Sequence, residues 1–242
     1  MDRVGAPVID LRDVERERGG GAERFRLRID RLRVADGERV ALLGPSGCGK
    51  STCLDLLAMT LRPSTVGCFR LRLPGESEVD VAGLWDAGAR ARLTALRARH
   101  FGYVLQTGGL LPFLSIAENA LVSRRLLGLA CPGPVPEILD FLGIGHLARR
   151  LPAKVSIGER QRAAVARAVS HRPRIVLADE PTASLDPHNA ERVMGLFVRL
   201  AGELGITLIL VSHDWEMVER HGLRPIPCQV EDDATVIRDG HR

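Results

Sequence analysis

The chain has 242 residues, of which 45% are hydrophobic and 26% are charged, and its formal net charge is +4. This length and apolar content suit one large α/β domain. The longest convincing apolar run, residues 206–211, is far short of the roughly 18 residues that a membrane-spanning helix needs, which excludes an integral membrane protein. The charge is compatible with anionic partners, including a membrane surface, but is too small to identify one.

Cysteine usage and the first residues bear on the cellular compartment. The five cysteines, at positions 48, 53, 68, 131 and 228, have no paired metal spacing, and their odd number argues against a disulfide framework. We expect them to be reduced and mostly packed. Cys48 is a candidate for oxidation, although a small side chain tolerated in a tight loop is the simpler interpretation. Met1-Asp2-Arg3 begins no charged-then-apolar signal pattern, so we expect the chain to remain in the cytoplasm.

Apolar alternation over residues 8–14 and 25–34 predicts two strands at the start of the chain. Asp36-Gly37-Glu38 then predicts a turn into a buried third strand, residues 40–43.

A glycine-rich segment follows that strand, with the residues Gly44, Pro45, Ser46, Gly47, Cys48, Gly49, Lys50, Ser51 and Thr52. This is the P-loop spacing, in which glycines turn backbone N–H groups toward one anion and a helix beginning near Lys50 aims its positive end at the same point. We expect Lys50 to reach the β- and γ-phosphates and the Ser51 hydroxyl to bind Mg²⁺. Lys50 and Lys154 are the only lysines among 34 basic residues, and a compact ammonium fits a ring of amides better than a guanidinium does. A turn that merely caps a helix is the alternative.

Residues 87–100 are predicted to form one helix rich in arginine, for which a solvated face is the default interpretation. The next strand, residues 101–105, ends at Gln106. A carbonyl-bearing side chain at that end of the sheet can reach Mg²⁺ and an attacking water.

An apolar loop over residues 110–114 follows, and its apolar side chains are Leu110, Leu111, Phe113 and Leu114. It predicts a docking surface, with ordinary packing equally compatible. Ser115 and Glu118 have the spacing of a capping box that starts a helix. A proline-rich hinge at 131–136 precedes a predicted helix over 137–149.

Ser156 and Glu159 repeat the capping-box spacing before an alanine-rich helix, and the cap alone explains this pair. The capping box does not explain Gly158, because a glycine in the first turn of a helix lowers the stability of the helix. A glycine lets exposed N–H groups approach a ligand closely, so a second phosphate site is our hypothesis here.

Two acidic residues, Asp179 and Glu180, end the apolar strand 174–178. Adjacent carboxylates at a strand end point in different directions and can take different tasks, Asp179 with Mg²⁺ and Glu180 with water. Asp186 precedes a helix over 187–204, either as a simple N-cap or as a functional residue.

The strand 206–211 carries His213 just beyond its end, beside other strand ends with candidate catalytic residues, which favours a functional role. Residues 220–242 are proline-broken and charged and predict little.

These motifs, in this order, resemble those of the ATP-binding-cassette (ABC) ATPases over nearly the whole chain: GPSGCGKST, Gln106, VSIGERQR, IVLADEPTASLD and SHD. The segment LLPFLSIAENA, with ERQR and ADEPTASLD, resembles the bacterial branch for lipoprotein release, macrolide export and cell-division hydrolase control (LolD, MacB and FtsE types). The resemblance implies an α/β fold with a P-loop NTPase core, a mostly parallel sheet, an antiparallel β subdomain and an inserted α-helical subdomain. The expected organisation is a single domain over residues 1–242, with the helical subdomain at about 107–160.

The resemblance also implies a head-to-tail dimer of identical or paralogous chains that binds ATP and Mg²⁺. The P-loop of one chain and Ser156, Gly158 and Glu159 of the other enclose one ATP. The implied roles are phosphate and Mg²⁺ binding by Lys50, Ser51 and Thr52, γ-phosphate sensing by Gln106, water activation by Glu180, γ-phosphate contact by His213, and communication across the dimer by Asp186.

The implied function is ATP hydrolysis in a bacterial inner-membrane complex, coupled to transport or force transmission. The expected partner is an integral membrane permease-type subunit contacted near residues 110–114, the expected location is the cytoplasmic face of that membrane, and no nucleic-acid partner is expected. One alternative is a soluble ABC ATPase acting on nucleic acid or ribosomes, but those relatives commonly have two cassettes or a long coiled-coil insertion. Another is a nucleotide-sensing subunit that barely hydrolyses, against which Glu180 and His213 argue.

Two departures from the family pattern affect the expected site. Where the family has an aromatic residue stacking on adenine, this chain has Arg16, Glu17 and Arg18, and the guanidinium plane of Arg18 is the candidate replacement. In the signature segment Val155, Ile157 and Glu159 replace three of the five residues usual in the family, and Glu159 places a carboxylate near phosphate. Glutamate is familiar at this position in the branch whereas isoleucine at 157 is not, so Ile157, which reduces backbone freedom, predicts a slow ATPase.

Overall fold

The computed structural model describes residues 7–19, 25–231 and 234–239, so Met1-Asp2-Arg3 lies outside the described residues. The chain has a mixed α/β fold. Its strands are β1 (Ile9–Arg18), β2 (Phe25–Val34), β3 (Arg39–Leu43), β4 (Thr65–Leu71), β5 (Val79–Asp80), β6 (Phe101–Val104), β7 (Ile175–Asp179), β8 (Thr207–Ser212), β9 (Arg224–Glu231) and β10 (Ala234–Arg238). Its helices are α1 (Lys50–Leu57), α2 (Val81–Asp86), α3 (Arg90–His100), α4 (Ile116–Leu126), α5 (Val135–Phe141), α6 (Ile157–Val169), α7 (Pro187–Glu203) and α8 (Trp215–Arg220).

The chain divides into two compact units, Met1–Arg97 with Val211–Arg242, and Ala98–Leu210. Each unit has buried apolar residues of its own. No helix within the described ranges combines the length and the hydrophobicity that crossing a membrane requires.

The first unit contains strands in the order β5-β4-β1-β2-β10-β9-β3. The β1–β2, β1–β4, β4–β5 and β9–β10 pairs are antiparallel, whereas β2–β10 and β3–β9 are parallel. The alternation in β2 buries Leu27 and Ile29 on one face, as the period of two predicts. In β3 the last four residues are all buried, which is typical of a strand covered on both faces. This unit positions the P-loop at the end of β3.

The second unit contains β6, β7 and the first four residues of β8, with β6 and β7 parallel and Phe101 paired with Ile175. Helices α4, α5, α6 and α7 belong to the same unit. A side chain at Gly102 of β6 would lie 2.1 Å from the Ala168 carbonyl oxygen of α6, so glycine lets this helix pack directly on the strand.

Two predicted helices are shorter in the structure, and glycine explains both differences. The predicted helix 87–100 begins at Arg90 as α3, because Gly88 has φ 65° and separates this helix from α2. The predicted helix 137–149 ends at Phe141, since Gly143 has φ 67° and leaves the right-handed helical region.

The C-terminal region forms β9 and β10, which the sequence did not predict. Pro225 and Pro227 lie opposite β3, outside the part of β9 that pairs with β10. Their missing N–H groups therefore remove no hydrogen bond between β9 and β10. Arg224 fixes the start of β9, because its Nη1 donates to Asp239 at 2.7 Å and its guanidinium pairs with Glu38.

Candidate functional site

The loop between β3 and α1 has backbone conformations and close contacts that require glycine. Gly47 and Gly49 have φ angles of 79° and 97°. A Cβ atom on Gly49 would lie 2.4 Å from the ring of Phe25, and one on Gly44 would lie 2.8 Å from the carbonyl oxygen of Cys228. The loop therefore packs tightly against β2 and β9, and these glycines allow it to do so.

Lys50 lies inside this loop, as the P-loop spacing predicts. Its side chain is only 4% exposed, and its Nζ donates to the carbonyl oxygens of Gly44 at 2.9 Å and Pro45 at 2.7 Å. Among the described residues, no side chain caps the N-terminus of α1 and no acidic residue occupies its first turn. The positive end of α1 can therefore stabilise an anion.

Phe25 is a candidate site residue that the sequence reasoning missed. It pairs with Arg18 in the β1–β2 register, and its ring occupies the space that a side chain on Gly49 would need. Arg18 is exposed at the end of β1. The family pattern predicts an aromatic residue near the end of the first strand, and in the structure strand pairing brings the start of β2 beside that end.

His213 lies just after β8 and is exposed. Two local hydrogen bonds shape its loop, since the Asp214 N–H donates to the Ser212 hydroxyl at 3.0 Å and the Met217 N–H donates to the Asp214 carboxylate at 2.9 Å. His213 therefore lies in a short loop. Asp214, the next residue, is the N-cap of α8 and fixes the end of this loop.

In the second unit, Asp179 ends β7 and Glu180 follows it in a strained conformation. Both side chains are half-buried. Glu180 has φ 39°, in the left-handed region that costs a non-glycine residue on the order of 1–3 kcal/mol. The Ala183 N–H donates to the Glu180 carbonyl oxygen at 3.1 Å and closes the turn. Strain of this kind is concentrated at functional positions.

Gln106 lies exposed in the turn that follows β6. Helix α6 holds the neighbouring backbone, because Arg167 donates to the carbonyl oxygens of Gly108 at 2.9 Å and Gly109 at 2.6 Å. Burial lowers the pKa of Arg167. These bonds link the Gln106 loop directly to the helix that begins after Ser156.

The apolar loop 110–114 is held by the fully buried Asn119. The Asn119 amide donates to the carbonyl oxygens of Leu111 at 3.1 Å and Leu114 at 2.9 Å, and it accepts from the Leu111 N–H at 2.8 Å. Phe113 is nevertheless 73% exposed. The predicted capping box of Ser115 and Glu118 is confirmed at the start of α4. Asn119 thus fixes the backbone of this loop, while the ring of Phe113 is exposed to solvent.

The capping box of Ser156 and Glu159 is confirmed as well. The Ser156 N–H donates to the Glu159 carboxylate at 2.7 Å, which lowers the pKa of that carboxyl, and the Glu159 N–H donates to the Ser156 hydroxyl at 3.3 Å. Ser156 and Ile157 are exposed. A Cβ atom on Gly158 would meet its nearest neighbour, Asn189 Oδ1, at 3.7 Å, an ordinary contact. Packing within this unit therefore does not require glycine at 158.

Asp186 is the N-cap of α7. Its carboxylate accepts from the Asn189 N–H at 3.1 Å and from the Asn189 side-chain amide at 2.7 Å. These hydrogen bonds lower the pKa of the exposed Asp186 carboxyl. The predicted cap is confirmed, and a further functional role of Asp186 stays a prediction.

Three predicted Mg²⁺ ligands supply oxygen atoms of different kinds: the Ser51 hydroxyl, the Gln106 amide and the Asp179 carboxylate. Within the described ranges, no group of three or more His, Cys, Asp and Glu side chains is placed to hold a metal ion. This donor set fits Mg²⁺, which prefers oxygen and usually takes some of its ligands from a substrate phosphate.

A family model described as ABC transporter matches residues 27–183 of the chain. The chain belongs to the ABC transporter family. The match contains the P-loop, Gln106, the Ser156 segment and the Asp179-Glu180 pair.

Individual relatives extend this ABC assignment over most of the chain. The lipoprotein-releasing system ATP-binding protein LolD of Nitrobacter winogradskyi is 34% identical over 220 residues, which are 88% of this chain and 90% of the relative. LolD of Bordetella pertussis is 39% identical over 193 residues, 78% of this chain and 79% of that protein. A solved ATP-binding cassette, in a dimeric post-hydrolysis state with ADP and Pi, is 30% identical with a TM-score of 0.76, covering 94% of this chain and 96% of that one.

This ABC protein is therefore an ATP-binding subunit with ATPase activity. The predicted family, the α/β fold class and the enzymatic activity are confirmed. The roles of individual site residues remain predictions.

Proposed function

We propose that this ABC ATPase powers a bacterial inner-membrane complex from the cytoplasmic face, acting on a separate permease-type membrane subunit. The observation that carries this proposal is the loop 110–114, on which Asn119 holds the backbone while Phe113 remains exposed. Arg167 donates to the carbonyl oxygens of Gly108 and Gly109, which lie between Gln106 and this loop. The LolD relatives, ATP-binding proteins of a lipoprotein-releasing system, support this assignment.

Within the proposed nucleotide site, the backbone of Gly44, Pro45, Ser46, Gly47, Cys48 and Gly49 cradles the phosphates. Lys50, Ser51 and Thr52 bind the phosphate oxygens, and the compact ammonium of Lys50 moves from the loop carbonyls onto them. Ser51, Gln106 and Asp179 are the residues that would hold Mg²⁺, which when bound neutralises charge on the phosphate oxygens. All three side chains offer oxygen atoms, the ligands that Mg²⁺ prefers, and this supports the proposed ligand set.

Hydrolysis requires a water molecule aligned with the γ-phosphate. Glu180 accepts a hydrogen bond from this water and takes its proton as the new phosphorus–oxygen bond forms, while the bond to ADP breaks. Gln106 and His213 contact the γ-phosphate and keep the water in line. Positioning and charge stabilisation supply most of the rate, since little covalent chemistry falls to the protein.

We propose that a second ABC chain, in the simplest case a copy of this one, completes each site with Ser156, Gly158 and Glu159. Ser156 is exposed at the N-terminus of a helix, and packing within its own unit does not require glycine at 158. Residues 107–160 form the proposed helical subdomain, and Asp186 lies in the loop that communicates across the dimer. The dimeric state of the solved relative supports this arrangement.

Substitution of Phe25 tests which residue stacks on the base. We expect Phe25→Ala to weaken ATP binding by about 1–3 kcal/mol, the cost of losing one base–aromatic stack, and Phe25→Tyr to retain affinity because the ring remains. Calorimetric titration with ATP measures both variants. A larger loss in Arg18→Ala than in Phe25→Ala would identify the guanidinium of Arg18 as the platform instead.

Substitution of Phe113 tests the docking surface. We expect Phe113→Ser to weaken association with the membrane subunit by about 2 kcal/mol or more, as for a buried aromatic anchor, while ATP binding is unchanged. Leu126→Ser is the matched control, since Leu126 is 81% exposed on α4 outside the loop. Co-purification from detergent-solubilised membranes measures association, and equal recovery of the two variants would contradict the proposed contact.

A further inference from the structure

Two thiols lie side by side beneath the P-loop, one from the loop and one from β9. The position of a Cβ atom on Gly44 is 3.1 Å from Cys48 Sγ and 3.1 Å from Cys228 Cβ. Both cysteines are buried, at 5% and 4% exposure. Residues 45–47, which precede Cys48 in the loop, are exposed. A small oxidant can therefore approach Cys48 along the loop.

The surroundings of the two sulfur atoms differ and assign them different roles. Lys50 Nζ lies 3.9 Å from Cys48 Sγ, close enough for the ammonium to stabilise negative charge that develops on that sulfur. Burial raises the pKa of the Cys228 thiol to about 12, the adjacent Cys48 adds to the shift, and the charge of Lys50 partly opposes it. Cys48 is thus the attacking sulfur, and Cys228 is the thiol that resolves the intermediate.

We propose that Cys48 and Cys228 form an oxidative modification site at which a hydroperoxide closes an intramolecular disulfide that prevents nucleotide binding. This inference rests on the proposed nucleotide site and adds a means of switching it off.

The chemistry takes two steps. The Cys48 sulfur attacks one oxygen of the hydroperoxide, the O–O bond breaks, an alcohol (water, for hydrogen peroxide) leaves with the thiol proton, and Cys48 becomes a sulfenic acid. The Cys228 sulfur then attacks the Cys48 sulfur, the S–O bond breaks, and the hydroxyl leaves as water with the Cys228 proton. Two thiols are oxidised, and one hydroperoxide is reduced.

The disulfide would oppose ATP binding because it ties the cradle to β9. Lys50 must leave the carbonyl oxygens of Gly44 and Pro45 to reach a phosphate, and the loop must adjust around it. At Gly44 the loop already lies so close to the Cys228 carbonyl oxygen that a Cβ atom would be 2.8 Å from it. Fixing Cys48 to Cys228 removes the remaining freedom of this segment. Bound ATP, in turn, covers the loop and shields Cys48 from the oxidant.

The test treats the purified full chain with hydrogen peroxide and maps its peptides without reduction. We expect a peptide pair linked through Cys48 and Cys228, and ATP affinity lowered roughly 10- to 100-fold, the range for losing one hydrogen bond to a charged group. A thiol reductant should restore affinity, and ATP added first should slow the oxidation. The absence of the linked peptides, or their formation with unchanged affinity, would overturn the proposal.

Substitutions at the resolving position separate the disulfide from other oxidation. Cys228→Ser and Cys228→Ala, each checked for its melting temperature, should retain ATP affinity after peroxide treatment better than the unmodified chain. Cys68→Ser on β4 is the matched control and should be inactivated as the unmodified chain is. Equal inactivation of folded Cys228 variants would assign the effect to Cys48 sulfenic acid alone and overturn the inference. If the reduced chain fails to bind ATP, the proposed function itself is wrong.

Discussion

Replacement of Glu180 by glutamine is expected to slow ATP hydrolysis by about 10²- to 10⁴-fold, because the amide cannot accept the proton of the attacking water. The substitution keeps the shape of the side chain and the strained backbone at φ 39°. ATP binding should persist, and the closed dimer should accumulate because it fails to turn over. Phosphate release measures the rate, and size-exclusion chromatography with ATP measures the dimer.

Glu203→Gln is the matched control for this variant. Glu203 is an exposed glutamate at the end of α7, in the same unit as Glu180, and the identical change there should leave phosphate release unaltered. Phosphate release by Glu180→Gln at the rate of the unmodified chain would remove Glu180 from its proposed role.

Replacement of Lys50 by alanine is expected to lower ATP affinity about 10- to 100-fold or more, since a hydrogen bond to a charged group contributes about 1.5–3 kcal/mol and Lys50 reaches two phosphates. Calorimetric titration with ATP and Mg²⁺ measures the change. Because the variant also removes the Lys50 hydrogen bonds to the carbonyl oxygens of Gly44 and Pro45, its melting temperature must be measured in parallel.

The chain offers a matched control for Lys50 in Lys154, its only other lysine. Lys154 is exposed at the end of a short 3₁₀ turn, and Lys154→Ala should bind ATP as the unmodified chain does. A folded Lys50→Ala variant with undiminished affinity would refute the phosphate role of Lys50.

Much of the fold could be predicted from the sequence wherever a single segment carried its own signal. The alternation over 25–34 predicted the bounds of β2, and the apolar run ending at Asp179 predicted β7. Strands β9 and β10 could not be predicted, because long-range pairing with β3 and β2 stabilises them against the local effect of two prolines. The later start of α3, at Arg90 after Gly88, was missed because the surrounding residues are otherwise good helix formers.

The same distinction, between a local sequence signal and long-range contacts, applies to the candidate site. The P-loop was predictable, since strand, glycines, lysine and helix are contiguous in the sequence. Phe25 was not, because only the β1–β2 pairing brings it beside Arg18 and only tertiary packing places it on Gly49. Asn119 and Arg167 were missed for a related reason. Both bind backbone carbonyl oxygens of a loop, and backbone partners leave no pattern in the sequence.

The central claim is that each ATP site combines the P-loop of one chain with the Ser156 segment of another, and a mixing experiment tests it most directly. Lys50→Ala disables the first half of the site, and Ser156→Arg disables the second, so each variant alone should be inactive. An equal mixture should recover up to about a quarter of the unmodified rate, because half of the dimers are mixed and each of those has one intact site of two. A mixture that remains as inactive as its components, or a Ser156→Arg chain that hydrolyses ATP at the unmodified rate, would contradict the shared site.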